Sequence, residues 1–397
     1  MTYQPPRLDS RRFKANPYPA YARMRAEAPV FRTKLSFWLP SIWIVTRYED
    51  VVRVLKDERF SKDYVQKFPW LPSAIRPMYR NLLTLDPPDH TRLRSLVQHA
   101  FTPRFIERLR GRVQELSDEL LDPVSKERFD LVDAFAIPLP LTIIADMLGV
   151  PKSDRARFEP WTKRVAVAAA SGDLRDFLRS LPAVWSLMKY LRELVSLRRK
   201  EPQNDLISAL IRAEEAGDKL TEPEIVSMVL LLLVAGYETT VHLIASGTLA
   251  LLEHPKERLR LQQNPELAAS AVDEILRYTS PVEFATPRYT LDEVTLGSVT
   301  IPRGELVGAS LGSANHDESQ FSDPEVFDIA RDPNRHLGFG TGSHFCLGAP
   351  LARLEGEIAI TTLFRRFPDL RLAQPAESVR WRRSVAFRGL EELRVGG

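Results

Sequence analysis

The sequence predicts a mainly α-helical fold with a small β-sheet region, organised as a single domain over residues 1–397. Three observations carry this expectation. From Asp50 to Ser280 most segments repeat apolar residues at helical spacing, strand-like runs are confined to two short stretches, and no repeat, low-complexity tract or flexible linker interrupts the chain. Length alone would suggest two or three domains, but that is only a prior.

In chain order, Val30-Phe31-Arg32 and Ile42-Trp43-Ile44-Val45 are rich in β-branched and aromatic residues and read as strands. The helical region follows, broken by Pro87-Pro88, Pro138, Pro151 and Pro182. Its longest helix starts at Thr221, where Glu224 three residues on completes a capping box and Pro223 suits the first turn. It runs through Met228-Val229-Leu230-Leu231-Leu232-Leu233-Val234 towards His254-Pro255. Some 30 residues at about 1.5 Å each make a rod of roughly 45 Å, apolar nearly all round in its middle and therefore central. Asn264 and Pro265 can begin a further helix carrying Glu274-Ile275-Leu276-Arg277. Arg288 to Val307 returns to strands, with Gly297 and Pro302-Arg303-Gly304 as turns. A last helix follows Pro350 and stops before Pro368, since a residue preceding proline avoids the α region.

Composition excludes several classes of function. Met1 to Arg12 is polar and lacks the apolar core of a secretory signal, and the longest apolar run, Met228 to Tyr237, is too short for a membrane span. The single cysteine forbids an internal disulfide, fits a reducing cytoplasm and leaves no ligands for an iron–sulfur cluster. A net charge of +3 is scattered, without the dense basic stripe of a nucleic-acid binder. Short clusters such as Arg198-Arg199-Lys200 and Arg365-Arg366 read as solvated surface, the alternative being a basic face that docks an acidic protein. The seven histidines show no metal-ligand spacing, so zinc is not expected.

The strongest chemical signal is Phe339-Gly340-Thr341-Gly342-Ser343-His344-Phe345-Cys346-Leu347-Gly348-Ala349-Pro350. Its glycines let backbone pass close to a flat ligand, and Cys346 lies just before a helix whose unpaired N–H groups favour thiolate over thiol. A lone cysteine is more often an inert buried side chain; this loop argues otherwise. A second constellation, Ala235-Gly236-Tyr237-Glu238-Thr239-Thr240, lies inside the buried helix. Burying a carboxylate without partners costs several kcal/mol, so Glu238 either forms an internal ion pair or works, with Thr239, as an acid and an alcohol that relay protons. The alternative for Thr239 is a bond back to its own helix. Gly236 weakens the helix by about 1 kcal/mol relative to alanine, which suits a local opening. Third, Glu274 and Arg277 share a helix face, which by itself is an ordinary ion pair.

In these segments the chain resembles the bacterial soluble cytochrome P-450 superfamily, whose cysteine loop has the pattern Phe-x-x-Gly-x-x-x-Cys-x-Gly; Phe339, Gly342, Cys346 and Gly348 match it. The acid–threonine pair matches Glu238 and Thr239, and Glu-x-x-Arg matches Glu274 and Arg277, in the family's order along nearly the whole chain. The resemblance implies a single-domain cytochrome P-450 fold with haem b (iron protoporphyrin IX), ligated by Cys346. It implies haem-propionate contacts from His90, Arg94, Arg288 and His344. One departure is Val326 in Pro324-Glu325-Val326-Phe327, where relatives commonly carry arginine, which puts a third partner of the Glu274–Arg277 pair in question.

The activity implied is that of a haem-thiolate monooxygenase, inserting one oxygen atom of O2 into a hydrophobic small molecule by hydroxylation or epoxidation. Electrons would come ultimately from NAD(P)H through a separate ferredoxin or flavodoxin with its reductase, since nothing here resembles a flavin domain. The alternatives are a peroxide-driven peroxygenase, a non-catalytic haem sensor and a thiol hydrolase using Cys346 with a histidine base. Phe60 to Tyr79 and Phe158 to Met188 are expected to cover the substrate, with Val282, Phe284, Ala285 and Val385 to Phe387 as candidate pocket wall.

Overall fold

The computed structural model describes residues 5–34, 40–68, 80–125, 127–171, 174–215 and 220–397. It divides into two compact units, one made of Met1–Ser61, Val113–Leu139 and Thr239–Gly397, the other of Lys62–Arg112 and Pro140–Glu238. Most described residues are helical.

The first unit holds a five-stranded sheet built from β1 (Val30–Lys34), β2 (Ser41–Val45), β3 (Phe60–Ser61), β4 (Arg288–Thr290) and β5 (Leu306–Ala309), in the order β1-β2-β5-β4-β3. β1 and β2 are antiparallel, with Val30 opposite Val45 and Lys34 opposite Ser41, whereas β2 and β5 run parallel. Alternation along β2 explains why the sheet has two cores. Ile42 and Ile44 pack with Phe13, Tyr21 and Met24 on one side; Val45 packs with Val51, Val54, Leu55 and Val307 on the other. Val294–Leu296 and Val299–Ile301 pair as a short hairpin between β4 and β5.

Besides β3, the described residues of the helical region contain a second strand the periodicity does not reveal. Phe129–Asp130 pairs with Arg394–Gly396, which also pairs with Arg371–Leu372. Two residues are too few to show an alternation, and their partners lie more than 200 positions away.

In the second unit the helices Arg155–Ser171 and Leu174–Lys200 pack together, with Tyr190 set against the rings of Phe158 and Trp161. Pro182 does not end its helix, contrary to expectation, and lies inside Leu174–Lys200. Pro182 and Leu178, whose carbonyl it leaves without a helical donor, are both exposed, so water can serve that carbonyl.

The longest helix is Glu222–Glu253, 32 residues, and it passes without interruption from the second unit into the first. The capping box forms as predicted: the Glu224 carboxylate accepts from the Thr221 N–H at 2.8 Å, and the Thr221 hydroxyl accepts from the Glu224 N–H at 3.4 Å. Within the second unit Arg92 also holds Glu224, at 2.6 Å. Among the described residues this helix is long and apolar enough to cross a bilayer, although its longest unbroken apolar run is not; most of that window is buried inside the protein.

Candidate active site

The cysteine loop belongs to the first unit. Gly340 and Gly342 both adopt positive φ, 68° and 76°, which side chains resist. A Cβ at position 340 would meet no atom within 4 Å, whereas one at 342 would stand 2.9 Å from the Leu55 carbonyl oxygen. The turn Gly342–His344 then brings Cys346 in front of the helix Ala349–Arg366, whose N-cap is Gly348. The Cys346 N–H donates to the Phe339 carbonyl at 2.9 Å, which fixes the loop across its neck. The thiol itself is exposed.

Phe339 is buried beneath the loop, edge-on to Phe345 at 6.3 Å. The Arg353 guanidinium lies over the Phe339 ring at 4.6 Å while bonding Asp273 at 2.8 Å, and Asp273 in turn meets His336 at 3.2 Å. Burial raises the Asp273 pKa, but its bonds to His336 and Arg353 outweigh this and hold the carboxyl below its usual range. This brace was not evident in the sequence, because its members are far apart along the chain.

The second constellation lies mid-helix. The helix stays α-helical through Gly236, so the local opening expected there is absent. What distinguishes this stretch is uncovered surface: Ala235 is exposed and Leu232, Gly236 and Thr239 are half-exposed, all on one face of an otherwise buried helix. Glu238 is buried and ends the second unit; Thr239 begins the first.

Sequence reasoning missed a neighbour of this motif. Glu355, on the helix after the cysteine, is fully buried, and the Thr240 hydroxyl is its hydrogen-bond partner. Burial pushes its carboxyl up to about 8, against which the threonine pulls back only in part. Among the described residues its Oε2 has no hydrogen-bond partner. Burial therefore favours the neutral form of Glu355. An isolated carboxylate on an otherwise apolar helix face was its only sequence signal.

The Glu274–Arg277 pair is wholly buried, with Nε to Oε2 at 2.7 Å and a second bond at 2.8 Å. Arg277 also donates to the carbonyls of Asn315, Pro324 and Val326. The missing third partner is replaced rather than lost. Arg331 reaches Glu274 at 3.2 Å and bonds the Val326 carbonyl at 2.9 Å, so position 326 supplies backbone and leaves its side chain exposed.

The candidate propionate residues fall in both units. Arg288 is buried on β4 and His344 closes the turn before Cys346, both in the first unit. His90 and Arg94 share a face of the helix Asp89–Ala100 in the second, with His90 buried. Of the covering loop, Trp70, Leu71 and Ile75 lie outside the described residues. Among the pocket-wall candidates, the main chains of Glu283 and Phe284 bond the Ala386 carbonyl, joining the two segments. Phe284 is buried in the cluster around Phe13 and Tyr21, and Val385, partly buried, packs against it.

An iron porphyrin fits these features. A thiol at a helix N-terminus is exposed rather than packed away, a glycine at the loop tip leaves room where a Cβ would project, and a buried helix keeps one small-residue face uncovered.

Comparison with known proteins agrees. The family model described as Cytochrome P-450 matches residues 9–370. The polyketide biosynthesis cytochrome P-450 PksS of Bacillus subtilis (strain 168) is 44% identical over 96% of both chains, and its solved structure superposes with a TM-score of 0.92 over 100% of this chain and 99% of that one. The 6-deoxyerythronolide B hydroxylase of Saccharopolyspora erythraea is 41% identical over 98% of each chain. P-450BioI, solved in complex with an acyl carrier protein ligated to hexadec-9Z-enoic acid, is 40% identical with a TM-score of 0.89, covering 98% of this chain and 100% of that one.

Proposed function

The chain belongs to the cytochrome P-450 family, and from that premise we propose that Cys346 is the ligand of its haem iron. Family membership makes it a haem-thiolate monooxygenase that inserts one oxygen atom of O2 into a hydrophobic small molecule, with electrons derived from NAD(P)H through partner proteins. The observation that carries the assignment of Cys346 is its placement: an exposed thiol three residues before an 18-residue helix. The helix end favours the anionic sulfur, and the Arg353–Phe339 brace keeps the loop in shape. When bound, the haem supplies the oxygen chemistry, and thiolate ligation favours O–O cleavage.

The remaining roles belong to side chains. Arg288, His344, His90 and Arg94 would neutralise the two propionates, which are costly to enclose unpaired. Glu238 holds an exchangeable proton and the Thr239 hydroxyl passes it on through water, acting as a relay on one helix turn. Replacing Glu238 by Gln or Thr239 by Val should lower product formed per NAD(P)H consumed, by roughly 10²-fold for Glu238. Haem content should stay unchanged. Unaltered coupling in both variants would remove the relay.

The electron donor is read as a ferredoxin or flavodoxin with its reductase, acting in the cytoplasm, and the two units as one catalytic domain. Turnover in a reconstituted system should be absent until both proteins are added. Activity with NAD(P)H alone would refute the partner. A second reading concerns delivery of the substrate. One relative is solved with a carrier protein bearing a fatty acid, and another belongs to polyketide biosynthesis. Both favour a hydrophobic substrate presented on a carrier.

A further inference from the structure

Charge in this protein is uneven in a way its net value conceals. The helices Arg155–Ser171 and Leu174–Lys200 carry eleven Lys/Arg against three Asp/Glu. The whole chain has 55 against 52. These two helices thus hold a net +8, and the remainder of the protein is net negative. Of the short clusters singled out in the sequence, Arg198 is buried against Asp205, and Arg365 and Arg366 pair with Asp118, while Arg199 and Lys200 are exposed at the end of the second helix.

One face of Leu174–Lys200 is both apolar and uncovered. Leu178, Leu181 and Trp185 are 53%, 44% and 68% exposed, and at spacings of three and four they form a single stripe about 10 Å long. The same face continues over a further 10 Å or so as Lys189 and Arg192, with the Lys189 ammonium 5.8 Å from the Trp185 ring centre and 3.9 Å from the exposed Glu193 carboxylate. A large aromatic left in water beside arginine and lysine has the composition of a protein-binding hot spot. The order of the stripe argues against a lipid surface. A helix lying flat in a bilayer needs its apolar stripe along its length with basic residues on both flanks, whereas here one face turns from apolar to basic halfway. A second copy of this chain docking through the same face would meet the same positive charge.

We propose that this face docks an acidic helical carrier protein that bears the hydrophobic substrate, its apolar spot covering Trp185 and its carboxylates meeting Lys189 and Arg192. The proposal rests on the reading that substrate arrives on a carrier, and it adds the surface that receives it. Opposite charges would speed the encounter and make it salt-dependent, while Trp185 would set the lifetime of the complex.

The test uses the haem-loaded enzyme and an acidic acyl carrier protein charged with hexadec-9Z-enoic acid and labelled for fluorescence anisotropy. Binding should weaken about tenfold or more in Lys189→Glu/Arg192→Glu and in Trp185→Ala. It should weaken with added salt in the parent but little in the charge variant. Circular dichroism, haem absorption and the rate of reduction by the ferredoxin or flavodoxin should match the parent in every variant. No binding to the parent enzyme overturns the proposal, as does binding that both variants leave intact. Slower reduction in the variants with carrier binding unchanged would assign the face to the electron donor instead. Sedimentation with phosphatidylglycerol vesicles in place of carrier binding would assign it to lipid. If the protein carries no haem absorption at all, it is the ligation by Cys346 that fails.

Discussion

Glu355 and Glu274 are both fully buried carboxylates, yet their surroundings differ. Two guanidinium groups, of Arg277 and Arg331, surround Glu274, while Glu355 has one threonine hydroxyl. The consequence for Glu355 is a measurable pH dependence. Its folded pKa, about 8, lies above the ordinary value of 4.5, so folding is unpenalised below about pH 4.5 and loses stability as pH rises towards 8. Glu355→Gln should flatten that decline and be more stable than the parent at pH 8, as read from urea midpoints across the window. A parent and variant with parallel profiles would show that the group is ionised. The cysteine loop was legible because glycine, phenylalanine and cysteine occur at fixed spacing within twelve residues. Glu355 was not, because burial depends on what packs over a helix face and leaves no mark on neighbouring residues.

At the scale of elements, the helix Ala268–Thr279 is pinned by its ion pair rather than by apolar packing alone. Arg277→Ala would leave Glu274 buried with Arg331 as its one remaining cation among the described residues, beside the Asp328 N–H and the Asn334 amide, and should cost about 3–5 kcal/mol. Arg331→Met keeps the inner pair and should cost roughly 1.5–3 kcal/mol, the value of a hydrogen bond to a charged group. Val326→Arg should change stability by less than about 0.5 kcal/mol, since the position it would serve is already filled and its own side chain is exposed. Chemical denaturation of the three variants reads all of these, and a large gain from Val326→Arg would show that Arg331 is a poor substitute. Spacing alone predicted the Glu274–Arg277 pair. The substitution by Arg331 was invisible, because it depends on how the chain turns between Pro324 and Arg331. Caps behaved similarly: Thr221 and Glu224 fixed the start of the longest helix, whereas Pro182 misled because its consequences depend on which face is wet.

At the scale of the whole molecule, the first unit brings distant parts of the chain together. Lys14 pairs with Glu283, both fully buried, and the Tyr21 hydroxyl donates to the same carboxylate at 2.5 Å. Arg388 donates to the Lys14 carbonyl at 2.7 Å and to that of Thr279 at 3.0 Å. Lys14→Met should therefore destabilise the protein by about 3–5 kcal/mol, and adding Glu283→Gln should recover part of it, because the stranded charge is gone. No sequence pattern announced this cluster; Lys14 and Glu283 are 269 positions apart. Its neighbour His242 is held down to about 3, chiefly by burial and further by Arg382 and Lys14, so it stays neutral throughout the working range. What reasoning from sequence recovered was the helical character, the two strand regions and the motifs in order; the brace around Phe339 and the carboxylate beside Thr240 needed three dimensions.

Iron K-edge X-ray absorption on purified, haem-loaded protein addresses the central claim most directly, by asking which atoms surround the metal. One sulfur among the iron's nearest neighbours in the parent, lost in Cys346→Ala, is the predicted result. A parent spectrum with no sulfur in that shell, or a sulfur that persists in Cys346→Ala, would contradict it.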